Sequence, residues 1–139
     1  MIKELRRILI EENLACIIKQ YEQVFRETDR GVSPIIKNYN LGHLKDAYIC
    51  DKVIGKASAM FIVAGQPKVV HGMVISQPAM KVFETAGVEF TYDKLVKNII
   101  NRDGTDLCPM EKSVLDEDNI EKGLCKVLEK VAELRSIKK

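Results

Sequence analysis

Three short runs carry residue types able to do chemistry. The first is Asp51-Lys52-Val53-Ile54-Gly55-Lys56-Ala57-Ser58-Ala59. Ala47 to Cys50 reads as a short strand, and Asp51 as the N-cap of a helix over 52–64, so this run is a strand-to-helix junction. In open α/β sheets, ligands sit beyond the carboxyl ends of strands. A helix start there offers free N–H groups and partial positive charge to an anion. Lys52 and Lys56, four residues apart, would add two ammonium groups on one helix face. Gly55, Ser58 and Ala59 let another backbone or a ligand come close. The same residues also admit a plain structural reading, with Asp51 a cap and the small residues serving packing. A P-loop is excluded, because Cys50 stands where its first glycine belongs and Ala57 replaces the Ser or Thr after the lysine.

The second run is Cys108-Pro109-Met110-Glu111. Pro109 suits the first helical position, which makes Cys108 the N-cap and puts Glu111 third, a capping box with a thiol in place of a hydroxyl. A helix N-terminus stabilises a thiolate, so Cys108 is a candidate nucleophile with Glu111 as its acid/base neighbour. Arg102 would strengthen that effect, whereas Asp103, Asp106 and Glu111 would oppose it if close. An inert capping cysteine is the structural alternative. The third run, Ser76-Gln77-Pro78-Ala79, is another strand-to-helix junction. Ser76 either only caps that helix or also turns its hydroxyl into the crevice that holds Asp51.

The remaining candidates read as structural. His71 lies inside a strand, as a core or edge histidine, and His43 sits in a surface loop beside Gly42. Cys16, Cys50 and Cys125 read as small apolar fillers. No CxxC pair occurs among the four cysteines, so free thiols are expected.

The elements that must position these residues belong to an ordinary globular chain. It has 139 residues, 46% hydrophobic and 30% charged, a size for one domain over 1–139 that can build a core without staples. Net charge is only +2, and there is no Trp, which argues against a nucleic-acid partner. No apolar run approaches a membrane span, and the charged amphipathic start does not resemble a signal peptide, so a cytoplasmic location is expected. Ile2, Leu5, Ile8 and Leu9 predict a helix over 2–12. An apolar run at 14–19 and a segment alternating charged and apolar residues at 22–27 predict a β-hairpin turning at Tyr21 and its neighbours. Ser33-Pro34 opens a short helix. Strands are predicted at 47–50, 68–75 and 88–92, with a helix to about Ala86 closed by Gly87. Residues 94–101 read equally as helix or strand. Asp118 caps a last helix whose stripe is Ile120, Leu124, Val127, Leu128, Val131 and Leu134. The order predicts an α/β fold with a mixed sheet of about five strands and helices on its faces.

The three runs together carry a resemblance. Ala47 through Ala57, then Ser76 and Ala79, then Ile100-Asn101-Arg102 and Cys108-Pro109-Met110-Glu111 resemble an uncharacterised prokaryotic family, a domain of unknown function with a cytidine-deaminase-like fold. The similarity covers about residues 14–118. It implies a three-layer α/β/α domain. Deaminases of this kind carry H-x-E at one helix start and P-C-x-x-C at the next, for zinc binding and proton transfer. Here Asp51-Lys52 and Ser76 to Ala79 stand in those neighbourhoods, without the ligand pattern a tetrahedral zinc site needs. The resemblance therefore implies the fold without hydrolytic zinc deamination.

The expectation is a small-molecule-binding protein that needs no metal or other cofactor and acts as an enzyme of unknown reaction on a polar or nucleotide-like ligand. Asp51, Lys52, Lys56, Ser76 and Arg102 would bind the ligand, and Cys108 with Glu111 would do the chemistry. The alternative is a non-catalytic binding or regulatory module in which Cys108 is structural. A homodimer is expected, with no membrane partner.

Overall fold

The strands of the described residues join into one five-stranded mixed sheet, in the order β2-β1-β3-β4-β5. The structure is a computed structural model that describes residues 1–100, 104 and 106–137. Arg102, expected to bind a ligand, lies outside the described residues. The elements follow as α1 (Ile2–Glu11), β1 (Cys16–Gln20), β2 (Gln23–Glu27), α2 (Ser33–Asn40), β3 (Tyr48–Ile54) and α3 (Lys56–Ala64). Then come β4 (Val69–Ser76), α4 (Gln77–Ala86), β5 (Glu89–Val96), α5 (Pro109–Ser113) and α6 (Ile120–Ile137). β1 pairs antiparallel with both β2 and β3, whereas β3, β4 and β5 run parallel. Parallel neighbours need a crossover, and α3 and α4 supply the two. The hairpin turns at Tyr21 (φ 54°), and Gly87 (φ 72°) closes α4 in the left-handed region that glycine adopts freely.

Helices lie on both faces of the sheet. α1 covers one face, where Leu5 and Leu9 pack with Leu14, Ile17 and Cys50. The larger core is on the other face, where Ile18, Ile49, Ile54, Val70 and Ile75 meet α2, α3, α4 and α6. α3 is buried from Lys56 through Ile62. A helix apolar all round belongs inside, and here α2, α4, α5 and α6 enclose it. Ile49 and Ile54, five residues apart, both reach this core, as do Val70 and Ile75. Strict alternation would separate each pair, so both strands change face on the way. Gly72 makes room, since a Cβ there would lie 2.5 Å from Ile75 Cγ1 and 3.1 Å from Ile54 Cδ1.

The fold departs from the sequence expectations at identifiable places. β3 continues to Ile54 instead of ending at Cys50, so Asp51 lies inside the strand and Gly55 is the N-cap of α3. The cause is Val53 and Ile54, which pair with Val74 and Ile75 of β4. β5 runs on to Val96, so the first part of the ambiguous 94–101 segment is strand. Val32, not Ser33, is the N-cap of α2. Asn119 takes the capping role expected of Asp118, its Oδ1 accepting the Lys122 N–H at 2.9 Å. On α6, Ile120, Leu124, Val127 and Val131 pack on the core, but Leu128 is 45% exposed. Cys125 is exposed too, and is not a filler. No helix among the described residues is long and apolar enough to cross a membrane.

These two packing environments separate by mutation. Leu9→Ala opens a cavity under α1 and should cost about 2–5 kcal/mol. Leu128→Ala should change stability by no more than about 0.5 kcal/mol. Urea unfolding of the two variants checks both; a large loss in Leu128→Ala would mean that face of α6 is covered.

Candidate functional site

Gly55 begins the site, because its missing side chain admits another one. A Cβ at Gly55 would lie 2.4 Å from Glu111 Oε1, so the carboxylate of α5 rests where any larger residue would put its side chain. There it accepts the Lys56 N–H on Oε1 at 2.9 Å and the Ala57 N–H on Oε2 at 3.0 Å. These are amides of the first turn of α3, which have no partner within the helix. The free N–H groups and positive end of α3 are thus met by a carboxylate of the chain itself. The capping box expected within α5 does not form. Cys108 makes no side-chain cap bond, its N–H donates to the Ile99 carbonyl at 3.0 Å, and Glu111 turns toward α3.

Lys56 completes the cluster. Its side chain is buried, and Nζ donates to the Leu115 carbonyl at 3.2 Å and lies 3.5 Å from Asp118 Oδ1. Burial pushes the Glu111 carboxyl above its ordinary range, and the two amide bonds and the Lys56 charge oppose that rise. Ser76 is fully buried at the end of β4, one residue beyond the Ile54–Ile75 pair, and so beside Gly55. Its Oγ accepts the Ala79 N–H at 3.2 Å, capping α4 as expected. The starts of α3 and α4 thus lie side by side, with two amides of α3 met by Glu111 and one of α4 by Ser76.

Asp51 and Lys52 are not part of this group. Asp51 lies four residues before Gly55, roughly 13 Å along the strand. It faces Cys16 across the antiparallel pair and is only 5% exposed. Burial raises its carboxyl to about 7, and bonds from the Val53 N–H, the Cys16 thiol and the Lys52 N–H hold that rise back. Cys16 and Cys50 are pushed up by their own burial, Cys50 to about 12, so neither supplies a thiolate. Lys52 is a strand residue and not a helical partner of Lys56. Its Nζ points to the α1 side of the sheet and donates to Asn13 Oδ1 at 2.8 Å. Cys108 is partly exposed at the start of α5, one turn before Glu111. Among the described residues no group of three or more His, Cys, Asp or Glu side chains is placed to hold a metal ion.

Sequence reasoning missed two features. One is the reach of Glu111 across 55 positions to α3; the only local signal was the glycine before Lys56. The other lies on the opposite face, where His71 of β4 meets Thr91 and Asp93 of β5 and Arg6 of α1. That grouping follows from strand register, which pairs His71 with Thr91.

The fold and this cluster define a class: a mixed α/β domain whose two central helix starts are capped side by side at the carboxyl ends of parallel strands. Residues 4–131 match the protein family described as a domain of unknown function, DUF1893. The chain belongs to that family. It is similar to the crystal structure of a DUF1893 family protein, TM1506, from Thermotoga maritima, at 30% identity and a TM-score of 0.86 over 92% of this chain and 88% of that one. No curated protein matches it.

The buried carboxyls make stability depend on pH. Asp51 titrates near 3.8 unfolded and near 7 folded, so the native chain holds an extra proton between those values. The contribution of Asp51 to stability is greatest below the lower value and falls as pH rises to the upper one, by up to about 4 kcal/mol. Asp51→Asn should remove that part of the slope. Urea midpoints of both proteins at the two pH values check it; parallel slopes would mean that Asp51 is already ionised at the lower pH. Gly55→Ala should expel Glu111 from α3 and destabilise the fold, by about 1–3 kcal/mol for the unmet amides.

Proposed function

We propose that the protein binds a small polar or nucleotide-like molecule, without a metal, in a cytidine-deaminase-like crevice at the adjoining starts of α3 and α4. The observation that carries this reading is the enclosed polar cluster. Lys56, Ser76 and Glu111 are all buried where two helices begin at the ends of parallel strands. Ionisable residues seldom go inside a domain unless paired, and perturbed ones concentrate at functional sites. The position is also the one where open parallel sheets receive ligands. The deaminase-like assignment rests on the resemblance of the three junctions, and the absence of the H-x-E and P-C-x-x-C patterns takes the reading away from zinc chemistry. Cys108, partly exposed beside the cluster, is then the reactive group of the crevice, and Glu111 its neighbour on the same short helix.

One observation favours a second reading, a non-catalytic binding module in which Cys108 is structural. Both oxygens of Glu111 are engaged by α3 amides, which suits a fixed strut better than a proton carrier. Exposed Cys125 provides an internal reference that separates the two readings. Native mass spectrometry of freshly purified protein should reveal a retained organic molecule. Iodoacetamide followed by peptide mapping should modify Cys108 faster than Cys125, despite its lower exposure. Retained ligand with slower modification of Cys108 supports the module. An empty protein with slow Cys108 counts against both the crevice and its nucleophile.

A further inference from the structure

The sheet face under α1 carries a second grouping, independent of the α3–α4 crevice. α1 packs across β1, β3 and β4, and a groove of about 690 Å³ runs between its first two turns and β4–β5. Lys3 and Arg6 line it from the helix, and His71, Glu89, Thr91 and Asp93 from the strands. His71 and Thr91 are direct partners in the parallel register, and Asp93 follows Thr91 by two, so the three side chains share one face. His71 Nδ1 is 2.7 Å from Thr91 Oγ1. Its other ring nitrogen, Nε2, is buried 3.3 Å from Asp93 Oδ1 and makes no well-aligned hydrogen bond among the described residues. Arg6 holds the second Asp93 oxygen, with Nε donating to Oδ2 at 2.9 Å.

This is the order hydroxyl, imidazole, carboxylate. A nucleophile and base within hydrogen-bond reach, the base oriented by a third group, is the arrangement that activates a hydroxyl, and such contacts are often loose before substrate binds. The carboxylate opposite Nε2 favours the tautomer with its proton there, which leaves Nδ1 to accept from Thr91. The charge states fit. Burial lowers the His71 pKa, against the pull of Asp93, so the ring is neutral and able to take a proton. The bond from Arg6 lowers that of Asp93, which stays ionised. His71 is only 5% exposed, but Thr91 is exposed to the groove.

We propose that this groove is an acyl-transfer site for small esters or thioesters, with Thr91 as nucleophile, His71 as general base and Asp93 as the residue that orients His71. Thr91 Oγ1 bonds to the acyl carbon while its proton passes to His71 Nδ1. The leaving alcohol or thiol departs with its electron pair and takes that proton, which gives acyl-Thr91. Water then adds to the acyl carbon, its proton passing through His71 to Thr91 Oγ1, and the carboxylic acid leaves. Lys3 lines the same groove and brings the positive charge that a tetrahedral oxyanion requires.

The test uses the full chain and p-nitrophenyl acetate, read by nitrophenolate release and by mapping acetyl groups on peptides. The wild type should show a burst with acetyl on Thr91. Thr91→Ser should keep it, and Thr91→Val, a change at an exposed position, should abolish it. His71→Gln should slow acetylation of Thr91 by roughly 10²-fold or more. A structural pin between α1 and the sheet would leave Thr91 chemistry indifferent to His71. Acetylation confined to lysines, or an unchanged rate in His71→Gln, overturns the proposal. If His71→Gln fails to fold, the Thr91 pair decides alone, and a burst that survives in Thr91→Val overturns it.

Discussion

The first amides of an enclosed helix must find partners, and around this requirement the larger half of the molecule is arranged. α3 has sheet on one side and helices around the rest, so its opening N–H groups are cut off from water. An unmet pair there would cost a few kcal/mol, a large share of the stability of a small domain. Glu111 meets both. To do so it must enter beside Gly55, and α5 must sit against α3 to deliver it. Lys56 then cannot remain a surface lysine, and its ammonium runs under the cluster to the Leu115 carbonyl and Asp118. One carboxylate thus ties the turn after β3, the short helix α5 and the approach to α6. A buried carboxylate earns this place only because α3 supplies both hydrogen bonds and a cation stands close.

That constraint also limits what the crevice can do. An anion arriving at α3 finds the helix end taken, so a ligand must either work beside Glu111 or displace it together with α5. At the start of α4 the Ser76 hydroxyl takes the Ala79 amide. Three of the helix-start amides that a phosphate-binding site would borrow are therefore committed inside this chain. Under the proposed function, binding there would depend on side chains at the rim, Cys108 among them, more than on open helix ends.

Much of the architecture was legible because it rests on local signals. The period of α1, the hairpin turning at Tyr21, the cap at Ser76 and the closing Gly87 all follow from residues within a few positions of each other. Two of the errors share one cause. Asp51 looks like a cap because capping residues are recognised locally, but cross-strand pairing of Val53 and Ile54 carries the strand past it. Glu111 looks like half of a capping box for the same reason, and its actual partner is remote in sequence. Tertiary demand overrides local preference in both cases. The junctions near Gly55, Ser76 and Pro109 were legible from local signals, and the bonds that link them were not.

The two faces of the sheet treat charge in opposite ways, and this follows from how each is covered. On the α3 side, α3 and the four helices around it exclude water, so buried charges such as Lys56 and Glu111 are paired. On the α1 side, a single helix leaves a groove along β4 and β5, and charged side chains remain partly wet. There His71 is the exception, buried at the floor with Thr91 and Asp93 on either ring nitrogen. An apolar residue at position 71 would pack under α1 as readily as Cys50 does beside it in β3. Packing alone therefore gives no reason for an imidazole at that point. Its contacts with Thr91 and Asp93, with Arg6 on the second Asp93 oxygen, tie β4, β5 and α1 together, and under the proposal above the same imidazole exchanges a proton with the hydroxyl beside it, on the face where side chains stay accessible to a substrate.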